Sequence, residues 1–255
     1  MKKVVAFLCI LILFGEMAEA VELTLKAGLS KQQLSGSIDN INAKSTFEND
    51  FAYDTTDTST FSLELRDIYI PNIKILYFNI QESASNTLQQ DIVVAQNSFA
   101  KGSDIFSEIE YKQLNALFYE DFLFKGDYLF ANTLYSGDLE IDLGLNAQYT
   151  QWNFDVESLT NPTQPKAWIH IKSNLISPYI AFKYYVSHIQ IELFGDALAY
   201  KDEKVIHYGG DIQYHFERGI ILSVGYTYNE FELTEKEDDV TFNSYGVDFM
   251  FGYRF

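Results

Sequence analysis

The chain has 255 residues, with 36 acidic against 18 basic side chains and a formal net charge of -18. That balance argues against nucleic acid, whose phosphates must be neutralised by Lys and Arg, and against metal-free docking on anionic lipid headgroups. Eighteen Tyr and 21 Phe stand beside only 4 Pro and a near-neutral hydropathy, and no run reaches the roughly 18 apolar residues of a membrane helix, a combination that suits a membrane β-barrel, which hides its hydrophobicity in alternation.

Met1-Lys2-Lys3, the apolar run from Val4 to Phe14 and the small-x-small triplet Ala18-Glu19-Ala20 read as a secretory signal peptide over residues 1 to 20. Cys9, the single cysteine, lies inside that run and leaves with it. Leu8 precedes it and the apolar run continues beyond, which argues against a lipoprotein. The mature chain, 21 to 255, then has neither a disulfide nor a thiol-based site.

Val21, Leu23, Leu25, Ala27 and Leu29 alternate with Glu22, Thr24, Lys26, Gly28 and Ser30, which predicts a first strand. Residues 31 to 58 are rich in Ser, Thr, Asn, Asp and Gln and read as a long solvent loop without a packed core. Phe61, Leu63 and Leu65 make a second strand, and Ile70-Pro71-Asn72 a tight turn. A third strand starts at Ile73; Lys74-Ile75-Leu76-Tyr77-Phe78 blurs its faces, with Ile73, Ile75 and Tyr77 preferred outward. Residues 83 to 103 read as a second long polar loop. The fourth strand, from Asp104 to Glu120, is ambiguous around Leu114 to Tyr119, and Asp121 to Gly137 is too aromatic for a free loop.

Leu139, Ile141, Leu143, Leu145, Ala147 and Tyr149 form a clear fifth strand. In the sixth, Ile169 and Ile171 share one face whereas Ile180, Phe182, Tyr184 and Val186 share the other, which implies either a bulge or a stretch projecting beyond the bilayer. Ile189 to Ala199, Ile206 to Phe216 and Ile220 to Tyr228 give strands seven to nine. Turns are expected at Ser187-His188, Lys201-Asp202-Glu203 and Arg218-Gly219, and an acidic tip at Glu235-Lys236-Glu237-Asp238-Asp239.

The last strand alternates throughout. Tyr245, Val247, Phe249, Phe251, Tyr253 and Phe255 point one way, Ser244, Gly246, Asp248, Gly252 and Arg254 the other. A soluble sandwich would bury the first set, and a membrane barrel would turn it to lipid. A C-terminal strand closing on Phe255 resembles the terminal strand by which Gram-negative outer-membrane β-barrels are recognised for assembly. Leu63-Glu64-Leu65 with Ile70-Pro71-Asn72-Ile73-Lys74, Asp142 to Tyr149, and Val224-Gly225-Tyr226 resemble an uncharacterised family of small bacterial outer-membrane barrels, a likeness that implies fold and compartment and no activity.

The fold expected is therefore all-β, an antiparallel up-and-down transmembrane barrel of ten strands, or eight if the third and fourth are misread. An even count puts both termini on one side, the periplasmic one, with long loops outside and short turns inside, an asymmetry that only Asp121 to Gly137 breaks. The inward set comprises Glu22, Lys26, Glu64, Arg66, Lys74, Glu140, Asp142, Lys183, Glu192, Asp196, Asp211, Glu217, Asp248 and Arg254, joined by His207 and His215. These predict a hydrogen-bonded network that plugs a narrow barrel, with a cation-leaning pore as the alternative. His207, Asp211 and His215 are each about 13 Å from the next along the strand, too far apart to share one metal without partners such as Asp196 or Glu192. No catalytic set, metal or cofactor is expected. The chain lacks the Asp-x-His pair near an outer rim that the omptin proteases use, and the His, Asp and Ser of lipid-modifying barrels occur here without an ordered signature. Expected partners are outer-membrane lipid and lipopolysaccharide, and the barrel assembly machinery through Phe249, Phe251, Tyr253 and Phe255; any extracellular partner is unknown. The acids at 235 to 239, with Asp50, Asp54 and Asp57, read as solvated tips or, alternatively, as holders of hard divalent cations.

Overall fold

Alternation with a period of two commits nearly every stretch of the chain to strand, and the strands close on themselves. The computed structural model describes residues 21–40, 43–67, 71–126, 137–200, 203–235 and 238–255; the expected signal peptide lies outside them. Its strands are β1 (Glu22–Asn40), β2 (Ala43–Thr46), β3 (Thr55–Arg66), β4 (Asn72–Thr87), β5 (Ile92–Val94), β6 (Asn97–Phe99), β7 (Asp104–Phe124), β8 (Asp138–Ser158), β9 (Ala167–Val186), β10 (Ile189–Tyr200), β11 (Glu203–His215), β12 (Ile220–Glu235) and β13 (Asp238–Arg254). Ten form an antiparallel meander in the order β1-β3-β4-β7-β8-β9-β10-β11-β12-β13, closed by β13 against β1. β2 folds back on the far end of β1, and β5 and β6 form a separate hairpin.

The register fixes the size of the barrel. Starting at Glu22 and crossing Arg66, Asn72, Tyr119, Gly144, Tyr179, Asp196, His207, Asn229 and Ser244, a path perpendicular to the strands returns to β1 at Leu34, twelve residues higher. With ten strands this stagger sets a tilt of about 40° and a backbone radius of about 10 Å. Side chains from opposite walls nearly meet across such an interior.

The outward face near the chain ends is apolar. Phe249, Phe251, Leu145 and Val224 are 49–59% exposed, while Asp248, Asp142 and Asn229 are no more than 7% exposed. This excludes the soluble sandwich, because the large apolar residues cover the exterior and the acids line the inside. Tyr208, Tyr228 and Tyr245 pair across three strands with rings 4.8 and 6.4 Å apart. Tyr214 with Phe216 and Tyr253 with Phe255 form a second aromatic level near the termini. The eight residue steps from Tyr245 to Tyr253 span about 20 Å along the barrel axis at this tilt, close to the height of a lipid-facing band flanked by aromatic girdles.

Beyond the upper tyrosines the polarity reverses while the pleat continues. On β9, Ala167, Ile169 and Ile171 are buried and Trp168, His170 and Lys172 exposed; lower down Ile180 and Phe182 are exposed and Ala181 and Lys183 buried. Every second residue points the same way throughout, so of the two sequence-derived alternatives the projecting stretch is correct and no bulge is needed. β4 turns Ile73, Ile75 and Tyr77 outward as preferred, and β7 resolves its ambiguity with Leu114 and Phe118 outward and Gln113, Asn115, Leu117 and Tyr119 inward. Phe122 and Phe124 extend that outward face, and 127–136, the rest of the aromatic segment, lies outside the described residues.

Both expected solvent loops are corrected. Within 31 to 58, β1 runs on to Asn40, β2 follows, and Phe47, Phe51 and Tyr53 are at most 2% exposed. Within 83 to 103, Leu88, Ile92, Val94 and Phe99 are at most 1% exposed. These few apolar residues, spaced irregularly among polar ones, fold into the barrel mouth and pack on Trp152, Phe154, Tyr111 and Phe242.

Candidate functional site

Alternation sends one face of every strand into the lumen, and the stagger decides which of those residues meet. At the membrane level the meeting is ionic. Lys183 on β9 is 2% exposed, with its ammonium 3.5 Å from Glu64 on β3, 3.0 Å from Glu140 and 2.8 Å from Asp142 on β8. Tyr119 donates its hydroxyl to Glu64 and offers its ring to Lys183 at 5.2 Å. Arg66 lies 2.8 Å from Glu140 and 3.4 Å from Asp121; Lys74 on β4 donates to Glu192 on β10 at 2.9 Å. Lys26 donates to Gln213 at 2.7 Å, and Gln213 donates in turn to Asp211 at 2.9 Å. Such charges persist away from water because each finds partners across the barrel.

Of the residues expected in the lumen, Glu64, Arg66, Lys74, Glu140, Asp142, Lys183 and Glu192 form this cluster. Asp196 and His207 stand beside it as a pair 2.9 Å apart, with Ser177 donating to Asp196. Asp248 accepts from Thr227 at 2.9 Å and from Gln32 at 3.5 Å. His215 and Arg254 meet near the termini, where Arg254 also lies 3.1 Å from Glu22. Glu217 is corrected: it sits exposed in the single 3-10 turn Glu217–Gly219 between β11 and β12. There Arg218 and Gly219 both take positive φ, 70° and 81°, so strand alternation has already stopped. His207, Asp211 and His215 do not converge; among the described residues no group of three metal-ligating side chains exists.

Sequence reasoning missed Tyr119, Gln113, Asn115 and Gln213 as lumen members. The first three lie on β7, where adjacent apolar residues masked the parity. Gln213 shares the lumen face of β11 with Asp211, and only the barrel's stagger brings it to Lys26 on β1.

The outer tier closes the lumen differently. Phe47 contacts Phe51, Tyr53, Trp152, Phe154 and Phe242 at ring separations of 5.5–6.2 Å. The turn that carries Phe47 is tied by Asp50, which accepts from the Thr46 amide at 2.8 Å, and by Asn86, which donates to the Asn49 carbonyl at 2.9 Å. The β5–β6 hairpin is held from two sides: Asp238 accepts from the Ala95 amide at 3.1 Å, and Gln164 donates to the Ser98 carbonyl at 2.8 Å. Asp50 and Asp238, read from sequence as solvated acids or cation ligands, are 3% and 5% exposed and fasten the stopper.

Between the ionic layer and the stopper lies a cavity of about 100 Å³. Its polar wall includes Asp248, His207, Gln113 and Asn115; its apolar wall includes Leu76, Phe78, Phe194 and Met250.

No protein-family model matches the chain, nor does any curated protein. Solved structures similar to it are bacterial outer-membrane barrels. The outer-membrane protease OmpT from Escherichia coli overlaps 93% of this chain and 97% of its own, at 10% identity and a TM-score of 0.45. The translocator domain of the autotransporter NalP from Neisseria meningitidis overlaps 93% and 89%, at 14% identity and 0.42. The attachment invasion locus protein Ail of Yersinia pestis, in complex with a heparin analogue, overlaps 92% and 99%, at 10% identity and 0.37. The strand pairing and the apolar exterior by themselves make the chain an all-β, closed ten-strand antiparallel barrel of the transmembrane type.

Proposed function

We propose that this protein is an outer-membrane barrel with a stoppered lumen, which serves as a structural or surface-interaction element and does not conduct solutes. The observation that carries the reading is the double filling of the interior, with Lys183 buried among three carboxylates at one level and Phe47 buried among aromatic rings at the other. Both chain ends belong in the periplasm, since the β3–β4, β9–β10 and β11–β12 connections at their end of the barrel are short, with the β7–β8 connection the exception, whereas the segments carrying β2 and the β5–β6 hairpin sit at the far end. Lipopolysaccharide suits the exterior just beyond the upper tyrosines, where Lys166 and His170 gather around Asp155 and Lys204 around Glu230 and Glu232. The exposed Phe249, Phe251, Tyr253 and Phe255 form the surface that the assembly machinery reads.

Planar-bilayer recording tests the stopper. The purified protein is expected to be silent, and steady unitary steps with cation preference would replace this reading with the narrow channel. A peptide epitope inserted between Asn161 and Gln164 should be labelled on intact cells; labelling only after the outer membrane is permeabilised would reverse the orientation.

A further inference from the structure

The mid-lumen cavity has three properties that the stopper does not require. Its wall is amphipathic: Leu76, Phe78, Phe194 and Met250 stand against Asp248, His207, Gln113 and Asn115. One of its carboxylates is left without a counter-charge. Asp248 is 6% exposed and hydrogen-bonds to the neutral groups Ser30, Thr227 and Gln32, with no Lys, Arg or His within 4.0 Å among the described residues. Of the two ammonium groups bordering the cavity, Lys74 pairs with Glu192, and Lys26 donates to the neutral Gln213, which in turn donates to Asp211, the carboxylate that balances Lys26. A buried carboxylate is costly unless it is protonated or a cation compensates it, so Asp248 offers a bound positive charge a partner.

The third property is a weak side wall. The β3–β4 ladder runs only from Leu65–Ile73 to Ser59–Asn79, although β4 continues to Thr87 and pairs there with β7 alone. Thr60 Oγ1 and Asn79 Oδ1 at this joint are buried without hydrogen-bond partners. Phe61 and Tyr77, a ladder pair two residues inside that last pair, border the cavity, and Tyr77 is 40% exposed on the lipid-facing side. With an ionic layer at one end and the aromatic stopper at the other, the shortest way to the cavity is through this seam.

We propose that the cavity binds a small amphipathic amine, its ammonium on Asp248 and its hydrocarbon against Phe78, Phe194 and Met250, admitted from the lipid side between β3 and β4. The volume limits the ligand. An engineered apolar cavity of about 150 Å³ accepts benzene, so about 100 Å³ suits some five non-hydrogen atoms, and a ligand that small binds no more tightly than about micromolar. The inference rests on the stoppered barrel for its route and is independent of it for its site, so silence in a planar bilayer and binding of an amine are separate results.

Isobutylamine, isobutanol and isobutyrate, alike in shape and different in charge, are titrated into the detergent-solubilised protein and followed by ligand NMR. The amine should bind at least tenfold more tightly than isobutyrate. Asp248→Asn should weaken the amine at least tenfold and change isobutanol by less than twofold, the alcohol reporting that the cavity is intact. Absence of amine binding, or an amine affinity untouched by Asp248→Asn, overturns the site. On a Cys9→Ser background, a disulfide between Ser59→Cys and Asn79→Cys should slow amine exchange at least tenfold, keep its equilibrium affinity, and be reversed by reductant. An unchanged exchange rate overturns the route.

Discussion

The membrane tier and the outer tier of this barrel are built from the same strands with opposite insides. On β13, Asp248 faces inward below the tyrosine girdle and Val240 and Phe242 face inward above it; on β8, Asp142 and Asn146 give way to Trp152, Phe154 and Val156. The pleat is unbroken, so the change is one of solvent. Where lipid lies outside, apolar side chains are as comfortable there as in a core, and the interior is left to polar groups that pair with one another. Where water lies outside, the hydrophobic effect draws the same alternation inward. The outer tier is a conventional core and the lower one is a salt-bridged interior, and the two should fail differently.

The sharpest break of the outer tier is Phe154→Ala. Phe154 is fully buried and its ring lies 4.8–6.5 Å from those of Phe47, Phe51, Tyr53 and Trp152; truncation costs about 3–5 kcal/mol through lost burial and a residual cavity. Because the loss is confined to the stopper, limited proteolysis should cut near 47–54 while the lower barrel keeps its heat-modifiable gel mobility. Loss of that mobility would mean that the two tiers unfold as one.

In the lower tier the comparable change is Lys183→Met, which leaves Glu140 with Arg66 and strands Glu64 and Asp142 without a cation within 4.0 Å among the described residues. Removing one partner of a buried ion pair costs about 3–5 kcal/mol. The double variant Lys183→Met/Glu140→Gln should recover part of it, measured as the urea midpoint in lipid vesicles. No recovery would show that Lys183 acts by packing on Tyr119 and not by charge.

The lipid face supplies the contrast between the two exteriors. Phe249→Arg places a charge against acyl chains and should cost about 2–4 kcal/mol near the midplane. Asn243→Arg, on the same strand face just above the girdle beside Glu230, should change stability by no more than about 0.5 kcal/mol. Equal effects at the two positions would mean that the girdle of Tyr208, Tyr228 and Tyr245 does not mark the edge of the bilayer.

This contrast also explains what the sequence made legible. Where lipid and a polar lumen sit on opposite faces, period-two alternation is strong, and strands such as Leu139 to Tyr149 and Tyr245 to Phe255 declared both their existence and their faces. The stopper was hidden because Phe47, Phe51 and Tyr53, like Leu88, Ile92, Val94 and Phe99, follow no period and lie among Ser, Asn, Asp and Gln. The only available hint was the presence of large apolar residues in supposedly solvated loops. The lumen pairs were illegible for another reason. Lys183 and Glu64 are 119 positions apart, and their meeting depends on strand number and a stagger of twelve residues, a property of closure that no local pattern encodes.

The mildest test concerns how the two tiers are joined. Asp238 at the tip of β13 accepts from the Ala95 amide, and Gln164 donates to the Ser98 carbonyl, so the β5–β6 hairpin hangs from two distant parts of the rim. Each bond is worth about 1 kcal/mol net, small beside the burial of Ile92, Val94 and Phe99 beneath them. Gln164→Ala, on the exposed side, should therefore leave the urea midpoint almost unchanged and raise amide exchange at the hairpin about fivefold, as about 1 kcal/mol requires. Asp238→Asn removes the charge and leaves the Ala95 amide a neutral acceptor, so its effect should be comparable or smaller. If exchange at Ala95 and Ser98 stays at the level of the barrel strands in both variants, the hairpin is held by its apolar residues alone, and the rim hydrogen bonds set its position without adding to its stability.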